Sequence, residues 1–385
     1  MSIKTTDERY IAHTYKRFDV TIVRGKGALC WDENGREYID MTSGIGVNSF
    51  GWSDPAWAQA VAQQAELLQH TSNLYYTAPC AELAELLCAR TGMSKVFFCN
   101  SGAEANECAV KVARKYAAEH KGAEYYNIIT LNKSFHGRTL TTLAATGQEH
   151  FHQLFTPLTE GFLYAQPEDI GDMSRLIADN KVAAVLLEVV QGEGGVNALS
   201  ADYLNAVQNL CRENDILLMI DEVQTGNGRT GKFYSYMNYG LEPDVVTTAK
   251  GLAGGLPMGA CLMNGRTADV LSYGDHGSTF GGNPVCAAAA LSVMGRMDEV
   301  FLEQVSRKGE YIRGRLIEEG FEVSGLGLMI GIKTSRPVGE VIADCMKDGV
   351  LCLSAKDKLR LLPPLNIDSK QLEKAVDVII KALSA

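Results

Sequence analysis

A lysine and an aspartate near the middle of the chain have the types and the setting that pyridoxal 5′-phosphate (PLP) chemistry requires. Lys250 lies between a strand-like run and a glycine-rich segment, and Asp221 ends the apolar run 216–221. A lysine amine can hold PLP as a Schiff base, and a carboxylate can keep its pyridine nitrogen protonated so that the ring accepts electrons. Each residue alone is more typical of a surface lysine and a structural aspartate, so the interpretation depends on the surrounding segments.

The segment 100–106 has the pattern of a helix start that could bind a phosphate. Ser101 followed by Glu104 is a capping-box pattern at the beginning of an amphipathic helix. The backbone N–H groups of Gly102 and Ala103 would face an anion at the positive end of the helix dipole, and a side chain at Gly102 would obstruct that approach. A plain helix start explains the same pattern.

Three other segments carry groups that suit small anionic ligands. Ser278 and Thr279 precede an alanine-rich helix and could add a second phosphate contact. Arg138 follows a strand-like run, and a guanidinium group binds a carboxylate through two parallel hydrogen bonds. Glu193 stands among glycines that permit close backbone approach to a ligand. A helix entry, a solvated arginine and a surface loop are the simpler explanations of these segments.

Glu188 lies in the apolar run 182–190. A carboxylate buried there must be paired or protonated, because an isolated charge is costly to bury. We therefore expect either a partner for Glu188 or a raised pKa.

The segment 226–232 matches two nucleotide-binding patterns but lacks the context that each one needs. Gly226, Gly228 and Gly231 fit G-x-G-x-x-G, and the whole segment fits G-x-x-x-x-G-K. A P-loop needs Ser or Thr after its lysine, where Phe233 stands, and a dinucleotide fingerprint needs a helix directly after its third glycine. An aromatic, turn-ended segment follows here instead, so we reject both nucleotide sites.

Short apolar runs alternate with amphipathic segments through the middle of the chain, which predicts an α/β fold with a mostly parallel sheet covered by helices. Ligands collect at the carboxyl ends of strands in such sheets, where Asp221 and Lys250 fall. The predicted strands are 95–99, 127–131, 182–190, 216–220, 244–248 and 259–263, and the predicted helices lie near 103–119, 168–180, 200–213 and 284–300.

The two ends of the chain differ from its middle. Residues 21–41 read as an antiparallel meander with a turn at 32–35, and helices mix with short strands after about residue 296. We expect three parts: an N-terminal segment (1–45) packed with the small domain, a large PLP-binding domain (46–295) and a small C-terminal domain (296–385).

The composition excludes several classes of protein. The chain has 385 residues, of which 46% are hydrophobic and 21% charged, with a net charge of −10 and no long Lys/Arg run. Nucleic acid and membrane are therefore poor partners, and no apolar stretch approaches the roughly 20 residues that span a bilayer. The polar start has no signal-peptide pattern, and the ten cysteines form no C-x-x-C pair. We expect a reduced, cytoplasmic protein without a metal site.

Together, these segments resemble the class III (omega-amino-acid) aminotransferases, PLP enzymes of fold type I, from Tyr15 to Arg360. The sequences of segments 95–107, 135–139 and 42–47 are most similar to those of the acetylornithine aminotransferase subgroup. The resemblance implies PLP as the cofactor and a fold with a large, mostly parallel sheet domain and a smaller α+β domain.

The same resemblance implies the residues that contact the cofactor. Lys250 would bind it covalently, and Asp221 would pair with its pyridine nitrogen. Thr279 would reach the phosphate from a neighbouring subunit, which implies a homodimer with shared active sites. The other implied contacts are Phe135 and Val223 on the ring faces, Gln224 near the phenolic oxygen, and Ser101, Gly102 and Ala103 at the phosphate.

The implied substrate-binding residues are Tyr15, Arg138, Glu193, Ser278 and Arg360. Arg138 and Arg360 would bind substrate carboxylates, and Glu193 would pair with Arg360 when no carboxylate needs it. The implied reaction is the ping-pong transfer of the terminal amino group of N-acetylornithine to 2-oxoglutarate, in arginine biosynthesis. Ile45, where free-ornithine enzymes usually have tyrosine, favours the acetylated donor.

Several alternatives remain open. N-succinylornithine, ornithine and 4-aminobutyrate are other possible donors. An aminomutase or racemase would use PLP without 2-oxoglutarate. A non-catalytic module that binds a nucleotide through residues 226–232 is a rival of another class.

Overall fold

The structure, a computed structural model, describes residues 2–385. Its strands are β1 (Ile22–Lys26), β2 (Leu29–Asp32), β3 (Glu37–Asp40), β4 (Lys95–Cys99), β5 (Asn127–Leu131), β6 (Phe162–Ala165), β7 (Val182–Leu187), β8 (Val190–Gln191), β9 (Asn197–Ala198), β10 (Leu217–Asp221), β11 (Val245–Thr248), β12 (Gly259–Met263), β13 (Val323–Leu326), β14 (Met329–Lys333), β15 (Val350–Leu351), β16 (Leu353–Ala355) and β17 (Lys358–Leu361). Its helices are α1 (Ile3–Tyr10), α2 (Ser43–Gly46), α3 (Pro55–Leu67), α4 (Ala78–Thr91), α5 (Gly102–His120), α6 (Leu140–Ala145), α7 (Ile170–Asp179), α8 (Ala201–Glu213), α9 (Pro284–Met294), α10 (Glu299–Glu318), α11 (Val338–Lys347) and α12 (Ser369–Ser384).

A seven-stranded sheet forms the centre of the molecule, in the order β4-β12-β11-β10-β7-β5-β6. Every neighbouring pair is parallel except the two that involve β12, which runs antiparallel to β4 and β11. The inner strands are buried on both faces, as expected for a sheet between helical layers. The predicted α/β fold with a mostly parallel sheet is confirmed.

The register of this sheet brings the two key residues to one edge. β10 and β11 are parallel neighbours, with Asp221 opposite Thr247. Lys250 follows the end of β11 by two residues. Parallel strands end at the same edge, so the carboxylate and the amine meet at the carboxyl ends, where the sequence predicts them.

Some predicted bounds are wrong. The run 182–190 divides into β7 and β8 at Glu188 and Val189, where the Glu188 side chain accepts hydrogen bonds from the backbone of Phe135 and Gly192. The helix predicted over 284–300 ends at Met294, and α10 begins after Asp298, whose side chain caps it through Phe301 N–H. The short strand β6 was not predicted.

The meander predicted over 21–41 is present as β1, β2 and β3. Its third strand pairs in parallel with β15, with Ile39 opposite Val350, so the beginning of the chain and its C-terminal part share one sheet. A second four-stranded sheet, in the order β13-β14-β17-β16, carries Arg360 on β17. The domain bounds at 45 and 295 stay predictions.

Within residues 2–385, no helix is long and apolar enough to cross a bilayer, and no cluster of His, Cys, Asp and Glu has a metal-binding arrangement. All ten cysteines are free thiols.

Candidate active site

A cavity of about 420 Å³ opens at the carboxyl edge of the central sheet. Nine of the predicted site residues line it: Ser101, Gly102, Ala103, Phe135, Arg138, Asp221, Val223, Gln224 and Lys250. They come from four separate strand exits, and the sheet topology alone brings them together. The role of each of these residues stays a prediction, and its position indicates what it could do.

Lys250 presents its amine from an unusual backbone conformation. Its φ is +45°, in the left-handed region that L side chains rarely adopt. Such conformations cost about 1–3 kcal/mol and cluster at functional sites. Desolvation by the surrounding protein lowers the pKa of Lys250, although Glu193 and Asp221 oppose the shift. The amine is therefore neutral more often than the amine of a surface lysine. The neutral form is the one that can act as a nucleophile or accept a proton.

Three donors hold the carboxylate of Asp221 at the cavity wall. Its Oδ2 accepts from Asn106 Nδ2 and His136 Nδ1, both at 2.8 Å, and its Oδ1 accepts from Val223 N at 2.9 Å. Because the Asp221 carboxylate can only accept, this hydrogen bond requires a proton on Nδ1 of His136. The Asn106 amide is itself oriented, because its Oδ1 accepts from the hydroxyl of Thr247 at 2.7 Å.

Neither Asn106 nor His136 was predicted as a site residue. The signal was available: Asn106 ends the segment 100–106, and His136 lies between two predicted site residues, Phe135 and Arg138. What the sequence does not reveal is that both side chains turn towards the same carboxylate.

The beginning of α5 forms an anion-binding end of the cavity. Ser101 Oγ accepts from Glu104 N at 3.2 Å, and the Glu104 carboxylate accepts from Asn100 N at 2.6 Å, so the predicted capping pattern forms with its return bond one residue early. The N–H groups of Gly102 and Ala103 have no hydrogen-bond partner within residues 2–385. Two free N–H groups at the positive end of a 19-residue helix suit a phosphate.

Gly102 is needed for packing as well as for a ligand. A Cβ atom at this position would lie 2.6 Å from Cγ1 of Val223. A larger residue would displace Val223, which forms part of the cavity wall. The obstruction that the sequence predicts for a side chain at position 102 would therefore affect Val223 in the cavity wall first.

Glu188 is buried and hydrogen-bonded, and burial raises its pKa to about 7. Its two oxygens accept from Phe135 N at 2.9 Å and Gly192 N at 3.1 Å. Both halves of the expectation, a raised pKa and hydrogen-bond partners, are met. Glu188 thereby fixes the backbone of Phe135 at the cavity wall.

The predicted ion pair between Arg360 and Glu193 is present. Arg360 Nη1 donates to Glu193 Oε1 at 2.6 Å and to Gln224 Oε1 at 3.2 Å. Burial alone would raise the pKa of Glu193, but the charge and hydrogen bond of Arg360 outweigh it and lower that pKa. Arg360 Nε is buried without a partner among residues 2–385, which leaves it free to donate to a ligand.

The glycines beside Glu193 approach protein groups closely. A Cβ at Gly192 would lie 2.7 Å from the Gln224 amide, and one at Gly194 would lie 2.3 Å from the carbonyl oxygen of Lys133. The close approach predicted here is therefore made to the protein, and these glycines give no evidence of ligand contact.

Arg138 lies at the mouth of the cavity and is exposed. Its guanidinium carbon lies 4.0 Å from the ring centroid of Phe151 and 5.3 Å from that of Phe135. Aromatic support of this kind leaves the edge N–H groups free to bind a carboxylate.

Five predicted residues do not line this cavity: Glu193 and Arg360, which pair with each other, and Tyr15, Ser278 and Thr279. The side chain of Tyr15 is 75% exposed. Ser278 and Thr279 line a neighbouring cavity of about 610 Å³. Ser278 Oγ accepts from Asn100 Nδ2 and Gly281 N, both at 3.0 Å, which joins this segment to the phosphate end of the first cavity. Lining residues that the sequence did not indicate are Val47, Asn100, Leu256, Pro257 and Met258.

The rejected segment 226–232 lies almost wholly inside the protein. Residues 226–231 are buried, with Asn227 and Arg229 directed at neighbouring backbone. No exposed glycine-rich surface is available for a nucleotide there.

Comparison with known proteins agrees with this geometry. The family model for aminotransferase class-III matches residues 10–383. The acetylornithine aminotransferase of Haemophilus ducreyi is 53% identical, over 99% of this chain and 98% of its own. The crystal structure of N-acetylornithine aminotransferase from Stenotrophomonas maltophilia has a TM-score of 0.85 at 35% identity, covering 99% of this chain and 98% of that one.

A structure of ornithine aminotransferase from Toxoplasma gondii is described as showing partial occupancy of PLP at its active site. It has a TM-score of 0.95 at 32% identity, covering 99% of this chain and 93% of that one. The cavity described above has the groups that PLP needs: a desolvated amine, a fixed carboxylate and two free N–H groups at a helix start. A match over nearly the whole chain, together with these groups, shows that the chain belongs to the class-III aminotransferases, whose cofactor is PLP.

Proposed function

We propose that this chain transfers the terminal amino group of N-acetylornithine to 2-oxoglutarate, giving N-acetylglutamate semialdehyde and glutamate, a step of arginine biosynthesis. The observation that carries the proposal is the Arg360–Glu193 pair, a carboxylate receptor closed by its own counter-ion beside Lys250 and Asp221. The 53% identity to a curated acetylornithine aminotransferase supports the choice of donor.

The residues that would hold PLP follow from the groups that line the cavity. The amides of Gly102 and Ala103, with Ser101, would hold the phosphate, and Phe135 and Val223 would enclose the ring. Asp221 would lie against the pyridine nitrogen. When bound, PLP supplies an electron sink that stabilises negative charge on the carbon that carries the amino group.

Lys250 would move the proton in both half-reactions. Its lowered pKa favours the neutral amine, which can take a proton from the amine-bearing carbon of the donor. The same amine, once protonated, returns a proton when 2-oxoglutarate becomes glutamate. Asp221, held by three donors, would keep its negative charge fixed during both steps.

Two arginines would accommodate two substrates of different shape. The reacting amine of N-acetylornithine is terminal, so its carboxylate lies far from the reacting carbon and suits Arg138 at the cavity mouth. The α-carboxylate of 2-oxoglutarate lies next to the reacting carbon and suits Arg360. Glu193 would release Arg360 when 2-oxoglutarate binds and would pair with it when N-acetylornithine binds. One pocket could therefore accept both substrates.

We also propose that the enzyme is a cytoplasmic homodimer. A group of large apolar side chains lies exposed next to the cavity that contains Thr279, and a patch of this kind is typical of an interface. Its members are Leu74 (86% exposed), Tyr75 (72%), Tyr76 (105%) and Phe280 (59%). A second copy of the chain on this patch would bring Thr279 towards the phosphate end of its partner's site.

Half-reaction measurements test the donor. The holoenzyme is mixed with N-acetylornithine, N-succinylornithine, ornithine or 4-aminobutyrate, and the loss of the visible cofactor band is followed in a single turnover. The proposal expects the highest kcat/KM for N-acetylornithine, and a higher value for any other donor would replace it. An aminomutase or racemase would turn over one substrate continuously without 2-oxoglutarate.

Arg360→Ala tests the carboxylate receptor. We expect the 2-oxoglutarate half-reaction to fall at least about a hundredfold while the donor half-reaction changes far less, because only 2-oxoglutarate needs a receptor beside the reacting carbon. Equal losses in both halves would refute the exchange of Glu193 for substrate.

A further inference from the structure

Residues 226–231, rejected above as a nucleotide site, form a buried loop that we call the connecting loop. Of its three polar residues, Asn227 and Arg229 are only 3% and 2% exposed and donate to backbone carbonyls outside the loop. Each side chain is hydrogen-bonded to the backbone of a different segment. Buried polar groups that are hydrogen-bonded in this way define the spacing of the segments they join, although Nη2 of Arg229 has no partner within residues 2–385.

Asn227 holds the backbone that leads into Lys250. Its Nδ2 donates to the carbonyl oxygen of Ala249 at 2.9 Å. Its amide also pairs with the hydroxyl of Thr248, at 3.0 Å from Nδ2 and 3.2 Å from Oδ1. Both partners immediately precede Lys250, so the amide fixes the peptide from which the reactive side chain extends.

Arg229 holds the backbone that follows Arg360. Its Nη1 donates to the carbonyl oxygen of Pro363 at 2.5 Å and to that of Leu328 at 3.2 Å. Leu328 N donates in return to the carbonyl oxygen of Arg229 at 2.9 Å. Pro363 lies two residues beyond the end of β17, the strand that carries Arg360.

We propose that the connecting loop is a positioning element, in which Asn227 places Lys250 and Arg229 places Arg360. The loop would thereby set the distance between the amine that moves the proton and the receptor for the α-carboxylate of 2-oxoglutarate. Displacements of about 1 Å at such groups can cost a hundredfold in rate. The proposal rests on the functions proposed above for Lys250 and Arg360.

The two ends of the loop have different kinetic signatures. Lys250 acts in both half-reactions, so Asn227→Ala slows both by about the same factor, roughly fivefold to tenfold, because the hydrogen bonds of the amide to Ala249 and Thr248 are lost together. Arg360 receives only the α-carboxylate of 2-oxoglutarate, so Arg229→Lys raises the KM for 2-oxoglutarate about tenfold and leaves the donor half-reaction within about twofold. If Arg229→Lys does not fold, Arg229→Gln keeps one N–H for a carbonyl and replaces it.

Asn238→Ala is the matched control. Asn238 Nδ2 donates to Thr230 Oγ1, within the connecting loop, at 3.2 Å and to the carbonyl oxygen of Ser235 at 3.0 Å. Asn238 is exposed, unlike Asn227, and this variant loses an amide that holds the loop without contacting the segments of Lys250 or Arg360. We expect a lower Tm and unchanged kinetic constants per folded molecule. The proposal is overturned if Asn227→Ala and Arg229→Lys leave the kinetic constants unchanged, as this control should. It is also overturned if Arg229→Lys, like Asn227→Ala, slows the two half-reactions by the same factor.

A second measurement separates this proposal from the proposed function. The rate at which an amine-reactive reagent labels Lys250 in cofactor-free protein is followed by mass spectrometry against pH. Asn227→Ala should change the labelling rate at pH 8 at least about threefold, and Asn238→Ala should not. If the wild type transfers no amino group but this difference is seen, the proposed function fails and the positioning of Lys250 stands. Equal labelling in an active enzyme overturns the loop proposal alone.

Discussion

Replacing Glu193 with glutamine should shift the balance between the two substrates in opposite directions. Glu193 pairs with Arg360 at 2.6 Å, so under the proposed function 2-oxoglutarate would have to displace a carboxylate before its own could bind. Glutamine removes that competing charge, and 2-oxoglutarate should bind more tightly. The donor should react less efficiently, because its carboxylate is then attracted to an uncovered guanidinium in the wrong place.

The size of the effect follows from the burial of the pair. The Arg360 side chain is 4% exposed and the Glu193 side chain 33%. Removing one partner of a fully buried pair costs about 3–5 kcal/mol. Because Glu193 is one-third exposed and glutamine keeps one acceptor oxygen, we expect about 1–3 kcal/mol, or roughly fivefold to 150-fold in the ratio of the two kcat/KM values.

Single-turnover absorbance measurements of each half-reaction give this ratio directly. Glu303→Gln is the control, because Glu303 pairs with Arg307 at 2.6 Å on the surface, where both side chains are more than 60% exposed. Surface pairs of this kind contribute little, so the control ratio should stay at the wild-type value. A Glu193→Gln enzyme in which 2-oxoglutarate binds more weakly, or in which both halves change alike, would contradict the reasoning.

Three further predictions concern the amine, a buried acid and the exposed patch. Lys250→Ala should lose at least about a hundredfold in both half-reactions, with an unfolding midpoint that shows the fold intact. Burial raises the pKa of Glu188 from 4.5 to about 7, so the folded protein binds this proton more tightly than the unfolded chain between those pH values. The contribution of Glu188 to the free energy of unfolding of the cofactor-free protein, measured in urea as the difference from Glu188→Gln, should therefore fall by about 1.4 kcal/mol per pH unit as the pH rises through that window. Tyr76→Glu should convert a dimer to a monomer in light scattering, whereas Val300→Glu, at a residue 65% exposed elsewhere, should not. A monomeric wild type would disprove the proposed dimer.

The central sheet was predictable because its inner strands are buried on both faces and therefore read as continuous apolar runs. Strands β4, β5 and β12 match the predicted runs to the residue. Asp221 ends β10 and Lys250 follows β11 by two residues, and the carboxyl ends of parallel strands share one edge, so their meeting there was predictable too. Apolar content does not encode strand direction, and so the antiparallel course of β12 was not.

Contacts between distant segments were the part that sequence reasoning missed. The donors to Asp221 lie 115 and 85 positions away, at Asn106 and His136, and nothing in their local patterns indicates which carboxylate they face. The pair between Glu193 and Arg360 spans 167 positions and was reached through family resemblance, since spacing alone could not indicate it. Thr279 is exposed in the single chain, so its predicted contact depends on a second subunit.

The left-handed φ of +45° at Lys250 has a consequence for engineering and for evolution. Glycine adopts that conformation without steric strain, so Lys250→Gly should relieve the local strain of the folded apoprotein while abolishing turnover. Under the role proposed for Lys250, selection for stability alone would act against the conformation that its side chain needs. The strain at this position would then be a loss of stability that the protein tolerates for its function.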